Sequence, residues 1–340
     1  MEVHEKYMLR ALELAEMGRG NVAPNPMVGC VIVCQNKIIG EGYHMKYGEA
    51  HAEVNAIQSV KNQELLAKST AYVTLEPCAH FGKTPPCATL LVEKRIKKVV
   101  VAAVDSNPLV GGKGISILKN GGVEVITGVL EKEAKVQNRR FFTVMEKGRP
   151  YILLKWAQTK DGYVARKDYS SKWISNSSSR QLVHKWRAEE QAILVGKNTA
   201  RYDDPSLTTR DWVGKNPIRL MMDSNLELSP KLKLFDGSGI SIVYNLIQSK
   251  KEGLVEWVKL EQMHLEELLQ DLHQRKVQSV LVEGGSTLLQ KFIDRELWDE
   301  ARVFTGNLKF GEGIDAPFIA KPPLETIPIL DDELNSYFNV

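Results

Sequence analysis

Four side chains in the first third of the chain have the types and the order that metal-assisted hydrolysis needs. His51 and Glu53 stand in His51-Ala52-Glu53, and two thiols follow at Cys78 and Cys87, each directly after a proline. One imidazole and two thiolates make three ligands for Zn²⁺ and leave a fourth tetrahedral position for water. A carboxylate two residues from a ligand can take that water's proton and hand it on. A closed structural site wants four protein ligands, and the fourth would have to be His80. The expectation is one catalytic zinc per chain, with His51, Cys78 and Cys87 as ligands and Glu53 as the catalytic carboxylate.

The elements that must position these groups follow from local pattern. Ala71–Leu75 reads as a strand that stops at Glu76-Pro77-Cys78, because the residue before a proline is held near extended geometry. Cys78 then stands at the carboxyl edge of a sheet, where open α/β folds place ligands. Pro85-Pro86-Cys87 opens an apolar helical stretch to Lys94, and a helix start favours a thiolate. His51 and Glu53 fall in the first turn of a helix running to Val60. Residues so spaced face apart on a regular helix, so that helix must aim its start at the metal.

Around them, helices are expected at Tyr7–Met17 and Glu131–Met145, and strands at Val28–Cys34, Lys37–Gly42, Val99–Val104 and Gly121–Ile126. That alternation gives an α/β layer sandwich with a partly parallel sheet. Cys30 and Cys34 sit about 13 Å apart on one strand, too far to share a metal, and read as core.

A polar turn at Lys147-Gly148-Arg149-Pro150 separates domains 1–146 and 147–340. The second is also α/β. Its expected strands are Tyr151–Ala157, Ala192–Val195, Ile218–Asp223, Ser241–Asn245, Ser279–Glu283 and Glu300–Phe304, with helices at Ser178–Ala188 and His264–Gln274. The last 20 residues, with Pro322, Pro323 and Pro328, are weakly patterned. Glu283-Gly284-Gly285-Ser286 follows an apolar strand and opens a helix, where glycines and free N–H groups suit a phosphate. No G-x-G-x-x-G stands at a strand–helix junction, which disfavours a Rossmann site. A net charge of +3 without a basic block argues against nucleic acid. No apolar run approaches the roughly 20 residues of a membrane span. No leader is visible, and four thiols in 340 residues fit a reduced, cytoplasmic protein.

The order His-x-Glu…Pro-Cys is the signature of zinc deaminases that act on bases. Attack on a ring carbon bearing an amino group is expected, with Glu53 delivering the proton to the departing nitrogen. The usual spacing is P-C-x-x-C, but here eight residues separate the cysteines, among them His80, Lys83 and Thr84. Those groups suit a phosphorylated substrate. The long form Pro-Cys-x-His-x-Gly-x-Thr-Pro-Pro-Cys resembles the deaminase half of the bifunctional riboflavin-biosynthesis deaminase/reductases. Pro24-Asn25-Pro26-Met27-Val28-Gly29-Cys30, Gly42-Tyr43-His44, Asp105-Ser106-Asn107-Pro108 and Gly111-Gly112-Lys113-Gly114 are similar to that family too. The resemblance continues through Lys155–Gly162, Ser171–Ser175, Asp203–Arg210 and Val282–Leu288, covering nearly the whole chain.

The resemblance implies a cytidine-deaminase-like α/β/α sandwich followed by a dihydrofolate-reductase-like α/β domain. It implies deamination of 2,5-diamino-6-ribosylamino-4(3H)-pyrimidinone 5′-phosphate, then reduction of the ribosyl chain to ribityl by NADPH. NADPH would lie along Ala157, Trp173, Thr199, Asp203 and Ser224, with its phosphates at Gly285, Ser286, Thr287, Leu288, Leu289, Gln290 and Lys291. The reductase substrate would contact Ser171, Arg187, Leu207, Arg210 and Glu283, with Lys155 near the hydride-transfer centre. Asn25, His44, His80, Lys83 and Asn107 would hold the deaminase substrate. Family members also self-associate. The competing reading is a zinc nucleobase or tRNA deaminase fused to a binding domain without reductase activity. It predicts a basic, aromatic groove, which 7% aromatics and a charge of +3 support poorly.

Overall fold

A computed structural model describes residues 3–79, 85–107, 111–170 and 173–339. The chain forms two compact units, Met1–Gly148 and Arg149–Val340.

The first unit runs α1 (Val3–Glu16), β1 (Gly29–Cys34), β2 (Lys37–Tyr43), α2 (Ala52–Ser59), β3 (Thr70–Leu75), α3 (Cys87–Glu93), β4 (Lys98–Ala103), α4 (Lys113–Asn120), β5 (Glu124–Thr127), α5 (Glu131–Gln137) and α6 (Arg139–Lys147). The sheet order is β2-β1-β3-β4-β5. β1 is antiparallel to β2 and β3, whereas β3, β4 and β5 are parallel. β1 and β4 read as unbroken apolar runs because both faces are covered. Cys30, Ile32, Val99 and Val101 pack under α2, α3 and α4 through Ala56, Leu91 and Leu118. Val31, Val33, Val100 and Ala102 pack on the opposite face against Met8 and Ala11 of α1, Ala134 of α5 and Phe142 of α6. This period-two division of side chains makes an α/β/α sandwich. Cys30 and Cys34 are free core thiols.

Two expectations needed correction here. The single helix over Glu131–Met145 is two helices, broken at Asn138. The Asn138 side chain leaves the helical path to accept from the Met27 N–H and donate to the Met27 carbonyl, each at 2.8 Å. The Gly111–Gly114 segment, which carried no helix in the sequence reading, leads straight into α4, with Gly112 in the left-handed region at φ 76°.

The second unit is built on a sheet of order β11-β12-β10-β9-β8-β13-β6-β14-β17-β16. Its elements are β6 (Tyr151–Gln158), β7 (Tyr163–Ala165), α7 (Ser177–Glu189), β8 (Ala192–Gly196), α8 (Lys197–Asp203), β9 (Ile218–Met222), β10 (Ser241–Asn245), β11 (Lys250–Glu252), β12 (Val255–Lys259), α9 (Leu265–Gln274), β13 (Ser279–Gly284), α10 (Ser286–Asp294), β14 (Glu300–Thr305), β15 (Ile314–Asp315), β16 (Glu325–Ile329) and β17 (Asp332–Phe338). The strands from β12 to β14 are mutually parallel. Ile152, Leu154, Val280 and Val282 face α9 and α10, while Leu153, Leu281 and Val195 face α7 and α8. The weakly patterned tail is in fact an antiparallel hairpin, β16–β17, that closes one edge of the sheet. Pro328 sits within β16, a position tolerated only where no further strand needs an N–H. Among the described residues, no helix is long and apolar enough to cross a membrane.

Candidate active sites

The metal ligands converge because three element ends meet. His51 is the residue before α2, with extended backbone at φ −75° and ψ 165°. That conformation turns its imidazole off the helical path, while Glu53 stays on the first turn, so the two need not face apart. Cys78 follows the carboxyl end of β3, and Cys87 is the first residue of α3. His51 Nδ1 lies 3.6 Å from Cys78 Sγ and 3.4 Å from Cys87 Sγ. A tetrahedral zinc with ordinary Zn–N and Zn–S bonds sets such N–S separations at about 3.5 Å. The three donor atoms lie within 4.8 Å of one another, and the donor set fits zinc.

The electrostatics favour one thiolate within the cysteine pair. The Cys87 thiol and backbone N–H, with the His51 ring, pull Cys78 well below the ordinary thiol range. Cys87 is pushed the other way, since Cys78 is stabilised by its proton and burial opposes a second anion. Glu53 is 3% exposed, and burial followed by the Cys78 charge pushes its carboxyl up to about 7. A carboxyl so poised exchanges protons readily at neutral pH.

Behind the ligands, His44 is buried and meets His51 edge-on, ring centres 5.3 Å apart. His44 Nδ1 is 3.0 Å from the Ala50 carbonyl, which can only accept, so Nδ1 carries the hydrogen. Nε2 then accepts from Asn25 Nδ2 at 3.1 Å. Burial pushes His44 down in pKa, in keeping with this neutral tautomer. Asn25 and His44 are thus brought to the metal ligands already bonded to each other. The Asn107 N–H bonds Asp105 at the end of the segment after β4. His80 and Lys83 lie outside the described residues.

Glu76 was passed over in the sequence, where it only marks a strand end. Its buried carboxylate accepts from the N–H groups of Asp105 (3.3 Å), Gly112 (2.9 Å) and Ile115 (3.2 Å). It ties the segment after β4 and the start of α4 to the Cys78 segment. Gly114 completes this brace, since a Cβ there would lie 2.0 Å from the Pro77 carbonyl oxygen. The glycines around position 112 were the available signal.

In the second unit, the carboxyl ends of neighbouring parallel strands gather the expected residues on one edge. Lys155 and Ala157 come from β6, Glu283 and Gly285 from the end of β13, Thr199 from α8 after β8, and Ser224 from the segment after β9. Arg187 on α7 donates to both Glu283 oxygens, Nε at 2.6 Å and Nη2 at 2.7 Å, and Lys155 Nζ stands 3.9 Å away. Burial alone would raise Glu283; the Arg187 and Lys155 charges outweigh it and hold the carboxyl at about 2. Burial lowers the Lys155 ammonium, against the pull of Glu283. Arg187's fork is therefore occupied, and any contact with a phosphate must use its remaining N–H groups.

Thr199 Oγ1 accepts from the Gly285 N–H at 2.9 Å, and Gly285 precedes α10 at φ 30°. A Cβ on Gly285 would meet the same hydroxyl at 3.3 Å. The Gly284-Gly285 turn is thus held open at a helix start. Ser286 Oγ donates to the Asp315 carbonyl, while Leu288 and Leu289 point into the core. Thr287, Gln290 and Lys291 lie along α10, and Asp203 ends α8. Trp173 is exposed, with the Arg180 guanidinium 4.4 Å from its ring centre. Leu207 is buried, and Arg210 is half exposed. Ser171 lies outside the described residues.

Each unit matches a protein family. Residues 1–103 match the cytidine and deoxycytidylate deaminase zinc-binding region, and residues 150–329 match the RibD C-terminal domain. The chain is 42% identical over 320 residues to the riboflavin biosynthesis protein RibD of Aquifex aeolicus (strain VF5), spanning 92% of this chain and 89% of that one. It is 40% identical over 322 residues to RibD of Bacillus amyloliquefaciens, spanning 91% and 86%. Among solved structures, the diaminohydroxyphosphoribosylaminopyrimidine deaminase/5-amino-6-(5-phosphoribosylamino)uracil reductase of Thermotoga maritima matches with TM-score 0.90 at 38% identity over 98% of both chains. RibD of Acinetobacter baumannii matches with TM-score 0.91 at 37% identity, over 99% of this chain and 98% of that one.

Proposed function

The chain belongs to the RibD family, and from that premise we infer a bifunctional riboflavin-biosynthesis enzyme, a zinc-dependent deaminase joined to an NADPH-dependent reductase. The observation that carries the first half is the His51–Cys78–Cys87 triangle with its zinc-like N–S separations and a buried Glu53 beside it. His51, Cys78 and Cys87 would hold a zinc ion, which when bound would supply an activated water. Glu53 accepts the proton of that water and returns it to the amino nitrogen that leaves as ammonia. Asn25 and His44, locked together, present fixed polar edges beside His51; with His80, Lys83 and Asn107 they are assigned to the pyrimidine and its phosphate.

In the second half, reducing equivalents come from NADPH when it is bound. The residues' share is to hold the two reactants. The open turn at Gly285 and the N–H groups at the start of α10 suit the cofactor phosphates, with Ala157, Trp173, Thr199, Asp203 and Ser224 along its length. Lys155, kept beside Glu283 by the Arg187 pair, presents an ammonium to the reacting end of the substrate. Ser171, Leu207 and Arg210 are assigned to the substrate with them.

We assign residues 1–146 to the deaminase, a cytidine-deaminase-like unit, and 147–340 to the reductase, a dihydrofolate-reductase-like unit. The substrate is 2,5-diamino-6-ribosylamino-4(3H)-pyrimidinone 5′-phosphate, deaminated and then reduced at its ribosyl chain. A cytoplasmic site of action and a homo-oligomeric state belong to the same proposal. The match of residues 150–329 to the RibD C-terminal domain favours a reductase over a nucleic-acid-binding domain. The test is to supply the diaminopyrimidinone phosphate with and without NADPH, following ammonia and NADPH absorbance separately. Ammonia should appear in both cases, and NADPH should be consumed as the deaminated product forms. Ammonia without NADPH oxidation would overturn the reductase half, and no ammonia would overturn the deaminase half.

A further inference from the structure

His184 and Arg187 stand three residues apart on α7, so both face one side of the helix. They share one acceptor. The Thr208 carbonyl oxygen lies 2.9 Å from His184 Nδ1 and 3.1 Å from Arg187 Nη1. A carbonyl can only accept, so Nδ1 carries a hydrogen and donates it there. The other engaged donors of Arg187 hold Glu283, which places the Thr208 carbonyl directly behind the buried ion pair.

The backbone that presents this oxygen is bent. Leu207 has φ 54°, in the left-handed region, with its side chain 2% exposed. A branched residue keeps such a conformation only where its surroundings hold it. On the far side, the Thr209 N–H and hydroxyl both bond Asn216 Oδ1 at 3.0 Å, and His184 Nε2 lies 3.1 Å from Asp211 Oδ2. Arg210 extends toward solvent, its side chain 51% exposed and its Nε 3.9 Å from Asp211 Oδ2. The ties on either side make the segment a fixed platform for one guanidinium.

We infer that His184 is a positioning residue of the reductase: by holding the Thr208 carbonyl it sets the segment that presents Arg210, while the two bonds to Glu283 hold Arg187 in place by themselves. This rests on the reading of Leu207 and Arg210 as substrate contacts. His184 is 4% exposed and acts through those neighbours, so its loss should weaken capture of the phosphorylated pyrimidine and leave cofactor binding and hydride transfer alone.

Two neutral amides separate this role from general packing. In His184→Asn the side-chain amide N–H2 stands in for the Nδ1 donor, whereas in His184→Gln the amide reaches the Nε2 position and leaves the Nδ1 donor unreplaced. Both are measured as full-length enzyme in the reductase reaction, with the deaminated pyrimidine phosphate as substrate. His184→Gln should raise the KM for that substrate about tenfold, with kcat and the KM for NADPH changed less than about twofold. His184→Asn should bring the KM back to within about threefold of the natural enzyme. Equal KM values for the two variants, or a matching rise in the KM for NADPH, would overturn the inference. A His184→Gln protein that does not fold would overturn it as well, since the bond would then serve the unit as a whole. Arg210→Ala is measured alongside. An unchanged KM there refutes the underlying reading, whereas a raised KM there with indistinguishable Asn and Gln variants refutes the inference alone.

Discussion

Replacing Arg187 by methionine should cost the second unit about 3 kcal/mol at neutral pH. The side chains of Arg187 and Glu283 are 10% and 7% exposed, and their contact is bidentate. Burial raises the Glu283 carboxyl, yet Arg187 and Lys155 bring it from an ordinary 4.5 to about 2. That drop corresponds to roughly 3 kcal/mol in favour of the folded anion. Removing one partner of a buried pair costs about 3–5 kcal/mol, and Lys155, still 3.9 Å away, keeps the loss at the low end. The assay is selective because all six tryptophans lie at Trp156 or beyond, so their fluorescence reports the second unit. In urea, with a slope of about 2 kcal/mol per molar, the midpoint should fall by about 1.5 M. The sign with pH follows from the depressed carboxyl. Its stabilisation is complete above 4.5 and drains away as pH falls toward 2. The gap between natural enzyme and variant should therefore narrow over that window. A loss below about 1 kcal/mol at pH 7, or a gap that ignores pH, would refute the reasoning.

Three further outcomes are expected. Gly114→Ala puts a methyl where the Pro77 carbonyl oxygen stands at 2.0 Å, so ammonia release should fall at least about tenfold with the tryptophan-detected unfolding unchanged; a normal rate would mean the Glu76 brace is not needed. Asn138→Ala removes both bonds to Met27 and should cost the first unit about 2–3 kcal/mol, read as faster amide exchange at Asn25 and Met27; unchanged exchange would contradict it. Chelation of zinc should stop ammonia release and leave NADPH oxidation on the deaminated substrate intact, and added zinc should restore the first; ammonia release that survives metal removal would contradict the ligand assignment.

What the sequence made legible was whatever local order encodes. His51, Glu53, Cys78 and Cys87 could be assigned because ligand chemistry restricts residue type, and Pro77 and Pro86 mark the element ends that carry the thiols. The central strands of both sheets were legible from apolar runs such as Val99–Ala103, covered on both faces, whereas the exposed β11 and its partner β12 were not. What stayed hidden depends on partners distant in the chain. Glu76 bonds backbone groups 29 to 39 residues away, and Asn138 breaks a helix to reach Met27 across 111 residues. The Arg187–Glu283 pair spans 96 residues, so the fork looked free for a phosphate. The β16–β17 hairpin was hidden because β16 is an exposed edge strand containing Pro328, and half-buried strands give a weak alternation.

The most direct single test is the rate of ammonia release by Glu53→Gln enzyme whose zinc content has been measured on the same sample. If Glu53 carries the proton, the rate falls by at least about a hundredfold while one zinc per chain is retained. A zinc-loaded Glu53→Gln enzyme within about tenfold of the natural rate would contradict the proposed chemistry at its centre.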